Sequence, residues 1–277
     1  MPGSGMFRFR TNSLDQHVNY LLYCGSSFAS LYIKPMPEGP SIVILKESVQ
    51  NFKAKKLIDI SGNTKVDFSS LVNEKVIYFK SFGKNFFICF KDASIKVHFM
   101  LFGSYRINER RPTLPRLSLQ FVDGELNFYA CSVKLIKEDL NTIYDWSADV
   151  MNDNWNEAKA RKKLKGTPKT MVCDALLDQT IFAGVGNIIK NEVLFRIKVN
   201  PKSRVGKLPS KKLTALIKEA RQYSFDFLEW KKLYVLKKHW LVHTKKICPR
   251  EGSYIIKEYL GKTNRRTFYC KKCQKLY

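Results

Sequence analysis

The sequence predicts an α+β protein in three successive parts: an N-terminal antiparallel β-sandwich with flanking helices, a helical domain, and a small terminal hairpin built around cysteines. Three observations carry this. Six short β-rich runs separated by turn residues occupy 56–131, helical periodicities replace them after Asp145, and the last thirty residues hold Cys270-Lys-Lys-Cys273 downstream of Cys248.

Composition narrows the partners. The chain has 277 residues, 44% of them apolar, enough for more than one core. Lys and Arg number 49 against 24 acidic residues, a net charge of +25 spread through the chain and not gathered in one tail. Such an excess suits a polyanion, because each cation that meets a phosphate releases condensed counterions. Nucleic acid is the first partner expected and a membrane surface the second. No run of 18 or more apolar residues occurs, which leaves no spanning helix to predict. Seven cysteines is an odd number, and Cys24, Cys89, Cys131 and Cys173 stand alone in apolar or short polar contexts, the pattern of reduced intracellular thiols.

Taken in order, residues 1–35 hold Arg8, Arg10 and Lys34 against Asp15, with a short apolar patch at 20–23. The patch is short for a secretory signal. Without this segment the net charge is still strongly positive. Met36-Pro37-Glu38-Gly39-Pro40 follows, and then Ile42, Leu45 and Val49 at helical spacing, so 40–52 reads as an amphipathic helix with Pro40 in its first turn. The β-rich runs lie at 56–60, 75–79, 86–90, 95–100, 116–122 and 125–131, with turn signals at Gly62-Asn63, Lys91-Asp92 and Asp123-Gly124. Helices are predicted at 155–164, 169–177, 187–195 and 210–228. Between the second and third, Ala183-Gly184-Val185-Gly186-Asn187 offers a tight turn and a capping Asn, and N–H groups at such a helix start are natural phosphate ligands.

The stretch at 36–40 matters for its chemistry. A proline at a free chain terminus is a secondary amine, a nucleophile that no ordinary side chain provides, and Glu38 would sit beside it. Inside the chain the same nitrogen is an amide without an available lone pair. Nucleophilic work by Pro37 therefore requires that residues 1–35 be absent from the working protein, as sequence upstream of the true start or as a removable presequence. In the tail, Cys248-Pro-Arg-Glu251, eighteen residues, and Cys270-Lys-Lys-Cys273 have the layout of a zinc ribbon with Glu251 in one sulfur position.

These motifs agree, in order and spacing, with one family. From Met36 to Tyr277 the chain resembles the formamidopyrimidine-DNA glycosylase and endonuclease VIII family. Met36-Pro37-Glu38-Gly39-Pro40 looks like its mature start, and Lys84 in Phe-Gly-Lys falls where it places a catalytic lysine. The run from Leu176 to Asn187 resembles the core of its helix-two-turn-helix motif. Arg265-Arg-Thr-Phe-Tyr-Cys270 with Cys273 resembles the end of its zinc finger. The resemblance implies an extension at 1–35 outside the mature enzyme, a catalytic β-sandwich domain at 36–150, a helix-two-turn-helix domain at 151–245 and a zinc-finger-like hairpin at 246–277.

It also implies roles. Pro37 would attack C1′ of a damaged nucleotide, Glu38 would protonate the sugar ring oxygen, and Lys84 would hold a nearby phosphate. The damaged base must leave the stack to be reached, and His98-Phe99-Met100-Leu101-Phe102-Gly103 resembles the loop carrying the family's wedge residues. His98, Met100, Leu101, Phe102, Asn187 and Arg265 are thus the DNA-binding residues expected. Structural Zn2+ would be held by Cys248, Cys270 and Cys273, with Glu251 or His243 as fourth ligand. Ser41 stands where many relatives have a glutamate, and Gly39 is shared with the endonuclease VIII branch, which implies oxidised pyrimidines over 8-oxoguanine. The expected partner is damaged double-stranded DNA, bound by a monomer in a bacterial-type cytoplasm or nucleoid, with no membrane contact. A non-catalytic lesion binder is the alternative if residues 1–35 are retained. A transcriptional zinc-ribbon module explains neither Lys84 nor the glycine-rich turn.

Overall fold

A computed structural model describes residues 37–277, so the expectation for residues 1–35 lies outside the described residues. Helix α1 (Gly39–Ser48) starts directly after Glu38, with Pro40 in its first turn, where a missing N–H costs nothing. Six antiparallel strands follow: β1 (Leu57–Ser61), β2 (Tyr78–Phe82), β3 (Asn85–Cys89), β4 (Ser94–Ile107), β5 (Leu117–Phe121) and β6 (Gly124–Ile136). They hydrogen-bond in the order β1-β5-β6-β4-β3-β2. Ile42 and Leu45 of α1, with Val49 and Phe52 just beyond it, share a buried core with Phe86, Ile95, Val97, Leu119, Phe121 and Phe128 from the strands. The predicted β module is therefore present.

Three of its strands differ most from the sequence reading. The run expected at 75–79 forms its strand three residues later, at Tyr78–Phe82, while Lys75 makes only an isolated bridge to Lys56. Strands β4 and β6 far outrun the predicted segments, because their pairing resumes after a shift of register between Phe99 and Ser104 and continues to Ile107 opposite Leu126.

The second half holds α2 (Leu140–Ile143), α3 (Glu157–Lys165), α4 (Val172–Leu177), α5 (Asn187–Arg196) and α6 (Ser210–Lys232). Asn156 caps α3 by accepting from the Lys159 N–H. Helix α4 begins later than 169 because Met171 is extended and bridges to Arg204. Leu176, Ile189, Val193, Leu216, Tyr223 and Phe227 belong to the core of this half. The chain ends in a hairpin of β7 (Ile256–Leu260) and β8 (Arg265–Tyr269), whose small core unites Phe268, Cys248 and Cys270 with Phe195 of α5 and Val242. Among the described residues no helix is long and apolar enough to cross a membrane.

Candidate active site

A cleft of about 330 Å³ opens where α1, the β2–β3 turn, the bend of β4, the start of α5 and the hairpin converge. It brings together Pro37, Glu38, Lys84, His98, Met100, Leu101, Asn187 and Arg265 from the residues singled out in the sequence. Phe102 lies next to this set on β4. Cys248, Cys270, Cys273, Glu251 and His243 lie elsewhere, in and around the hairpin.

Glu38 is the most constrained of these. It is 1% exposed, and its carboxylate accepts the N–H groups of Ile188 on Oε1 (2.7 Å) and of Gly186 (3.1 Å) and Ile189 (3.2 Å) on Oε2. This is the positive end of α5, whose first N–H groups lack partners inside the helix and suit an anion. Burial raises the Glu38 pKa above the usual carboxylate range, against the lowering pull of Lys84 and of the three N–H groups. Burial likewise lowers the Lys84 pKa, opposed by Glu38. Burial thus opposes the charge on both groups, while their mutual attraction and the three N–H groups favour it. Pro37, one residue before Glu38, lines the same cleft.

Glycines let these segments meet. A Cβ on Gly186 would stand 2.3 Å from Glu38 Cδ and 2.6 Å from Oε1. Gly83, at φ +55°, turns the chain just before Lys84, and its N–H donates to Asp149 Oδ2 at 2.9 Å. The glycine turn before α5 is tied internally by Gln179, whose amide donates to the Leu177 and Val185 carbonyls and accepts from the Gly184 N–H. Asp149 and Gln179 are both supporting residues: Gln179 falls within the run at 176–187 singled out in the sequence, whereas Asp149 has no sequence signal beyond its residue type.

Met100, Leu101 and Phe102 are 56%, 48% and 56% exposed, which removes them from the strand core such a run would ordinarily enter. They occupy the stretch where β4 loses register with β6. His98 places Nδ1 3.0 Å from Asn85 Oδ1, and the Asn85 amide donates to the Phe82 carbonyl, so Asn85 orients the ring. Its pKa is lowered by burial, then by Lys96 and Lys84. Asn187 Nδ2 donates to the Arg266 carbonyl at 2.8 Å, fastening the hairpin to α5.

In the hairpin, the sulfurs of Cys248, Cys270 and Cys273 lie within 4.8 Å of one another, and Cys248 Sγ and Cys273 Sγ are 3.8 Å apart. Tetrahedral zinc with Zn–S of about 2.3 Å has S···S edges of about 3.8 Å, so the donor set fits one face of such a site. The fourth ligand expected from the sequence is not brought in. Glu251 is exposed and outside the sulfur cluster. His243 Nδ1 is engaged by the Asn191 amide at 2.9 Å. Ser253 Oγ lies 3.3 Å from Cys270 Sγ, and the Arg250 guanidinium donates to Cys273 Sγ at 3.8 Å.

Residues 147–226 match the family model for the formamidopyrimidine-DNA glycosylase H2TH domain. The chain is 31% identical over 237 residues to Endonuclease 8-like 3 of Xenopus laevis, covering 80% of this chain and 38% of that relative. It is 32% identical over 196 residues to Endonuclease 8-like 2 of Bos taurus, covering 65% and 58%. The chain therefore spans less than two thirds of either relative's length. A crystal structure of Lactococcus lactis formamidopyrimidine-DNA glycosylase, bound non-covalently to DNA containing an AP site, superposes with a TM-score of 0.76 at 22% identity. That match covers 86% of this chain and 99% of the other. A viral DNA glycosylase gives 0.75 at the same identity, covering 86% and 99%. At these identities the two structures establish the shared fold.

Proposed function

Since the chain belongs to the formamidopyrimidine-DNA glycosylase and endonuclease VIII family, we propose that it excises oxidised bases from DNA and cuts the backbone at the resulting site. The observation that carries this reading is the buried Glu38 carboxyl, held by three backbone N–H groups beside Pro37 and Lys84 in one cleft.

In this reading the Pro37 nitrogen, as a free secondary amine, bonds to C1′ while the glycosidic bond breaks and the base leaves with its electron pair. The nitrogen loses its proton, Glu38 protonates the ring oxygen, and the sugar opens to a cationic iminium. That cation is the electron sink for β-elimination of the 3′ phosphate and δ-elimination of the 5′ phosphate. Lys84 and Arg265 meet the flanking phosphates, and Met100, Leu101 and Phe102 fill the space vacated by the extruded nucleotide. Zn2+ would be held by Cys248, Cys270 and Cys273 and would act structurally, stiffening the hairpin that carries Arg265. Oxidised pyrimidines are the proposed substrates on the resemblance at Gly39. That glycine also has a packing reason, since its Cβ would stand 2.8 Å from the Gly184 Cα.

The chemistry requires a free Pro37 amine. While Met36 acylates that nitrogen, the second reading applies: a protein that binds distorted DNA without cutting. Borohydride trapping on a duplex with an oxidised pyrimidine separates the two, because it reduces the iminium to a stable covalent complex. A chain processed to Pro37 is expected to trap and the full chain is not. Absence of trapping by either, on oxidised bases and on abasic sites, would leave the binder.

A further inference from the structure

Helix α5 presents Asn187, Lys190 and Asn191 at i, i+3 and i+4, a spacing that puts all three on one face. That face meets β8, which among the described residues pairs only with β7 and would otherwise offer an unpaired backbone edge. The side chains take the place of a third strand. Asn187 Nδ2 donates to the Arg266 carbonyl (2.8 Å), Lys190 Nζ to Thr267 Oγ1 (2.7 Å), and Asn191 Oδ1 accepts from the Phe268 N–H (3.4 Å).

Lys190 is the unusual member. It is 1% exposed, where lysine is rarely found, and Thr267 is buried beside it. An ammonium can only donate, so the Thr267 oxygen must accept. The Thr267 hydroxyl proton is then directed to the Arg265 carbonyl, 3.0 Å away. A relay thus runs from the middle of α5 to the backbone of the arginine that lines the cleft. At the hairpin's turn, Asp174 of α4 accepts the Lys262 N–H at 3.2 Å, so the hairpin is tied at both ends of this segment.

We propose that Lys190 is a positioning residue for the phosphate grip: acting through Thr267, it fixes the backbone from which Arg265 reaches the cleft, without touching DNA itself. The proposal rests on the DNA-binding reading above. A lysine that only filled space would be replaceable by any side chain of its shape and would leave the electrostatics of binding untouched.

The test is the affinity of the full chain for a duplex carrying a tetrahydrofuran abasic analogue, measured across a salt series. Lys190→Met and Thr267→Val are each expected to loosen binding roughly tenfold and to lower the log–log salt slope by about one, the signature of one lost phosphate contact. Thr267→Ser, which keeps the hydroxyl, should restore both. Lys190→Met combined with Arg265→Ala should bind no more weakly than Arg265→Ala alone. An unchanged salt slope, or losses that multiply in the double variant, would overturn the proposal. Should Lys190→Met fail to fold, the isosteric Thr267→Val decides by the same readings. A wild-type chain that does not bind this duplex removes the DNA reading and the proposal with it, whereas binding with an unmoved slope in the variants removes the proposal alone.

Discussion

Glu38 and Ile188 lie 150 residues apart in the chain, yet the Ile188 N–H donates to Glu38 Oε1 at 2.7 Å. This contact joins the segment that bears Pro37 to the first turn of α5. The acid of the proposed reaction is therefore hydrogen-bonded by the helical half of the molecule, although α1 packs against the strands. The carboxylate also replaces partners that the first turn of the helix lacks, so one group serves both folding and chemistry.

Glu38→Gln is predicted to fail in two separable ways. The amide has one acceptor where the carboxylate had two, so it can satisfy Ile188 or the Gly186 and Ile189 pair but not both. Each stranded N–H costs about 1–3 kcal/mol, and the melting temperature should fall accordingly. Base release should vanish, while binding to an abasic analogue persists in the folded fraction. Calorimetry and single-turnover excision check the two effects. Excision at the wild-type rate would remove Glu38 from the mechanism.

Gly186→Ala tests the same contact from the other side. Its Cβ would overlap Glu38 Cδ, Cγ and Oε1 at 2.3–2.6 Å, while its backbone stays in the extended region that any residue adopts. The cost is therefore displacement of the carboxylate, not backbone strain. We expect a stability loss of about 1–3 kcal/mol, as for overpacked cores. Excision should fall at least as far as the stability loss implies, and Glu38→Gln/Gly186→Ala should be less than additive in both measurements.

What the sequence makes legible here is local or repeated in spacing. Pro37 and Glu38 are adjacent, Gly184 and Gly186 bracket one valine, and Cys270 and Cys273 form a pair, so each announces itself within a few residues. The supports are long-range and carry no pattern. Asp149 ties down Gly83 across 66 positions, and Lys190 is one lysine in a chain with 49 basic residues. Strand lengths are hidden for a related reason. Whether β4 continues past Gly103 depends on its partner β6, and only the family resemblance, not the apolar run Met100-Leu101-Phe102 itself, separates exposed residues from strand core there. Glu251 shows the opposite error: spacing suggests a ligand, and the fold leaves it exposed.

The hairpin cysteines yield a metal prediction. About one zinc per chain should copurify, and Glu251→Ala should leave that stoichiometry unchanged because the carboxylate stands outside the sulfur cluster. Cys273→Ser should lower it. Elemental analysis with thiol titration reads both. Stripping the metal should weaken DNA binding more than it lowers the melting temperature, since the hairpin retains its packing against Phe195 and its ties to α5.

His243 makes acid stability a further test. Asn191 Oδ1 is taken by the Phe268 N–H, so the Asn191 amide group faces His243 and Nδ1 must accept. A proton on Nδ1 would oppose that amide. Burial, then Lys190 and Arg266, push the His243 pKa down to about 4 from 6.5. A base with a depressed folded pKa contributes stability that is present above its unfolded pKa and lost as pH falls through the folded one. The window is therefore about 6.5 down to about 4, and the full loss is on the order of 3 kcal/mol. Urea unfolding of wild type and His243→Gln over this range isolates the effect from the carboxylates that titrate beside it, because glutamine can still accept from Asn191. The wild-type advantage should shrink steadily on acidification. An advantage that stays constant from pH 7 to 4 would mean that His243 is not held neutral by this contact.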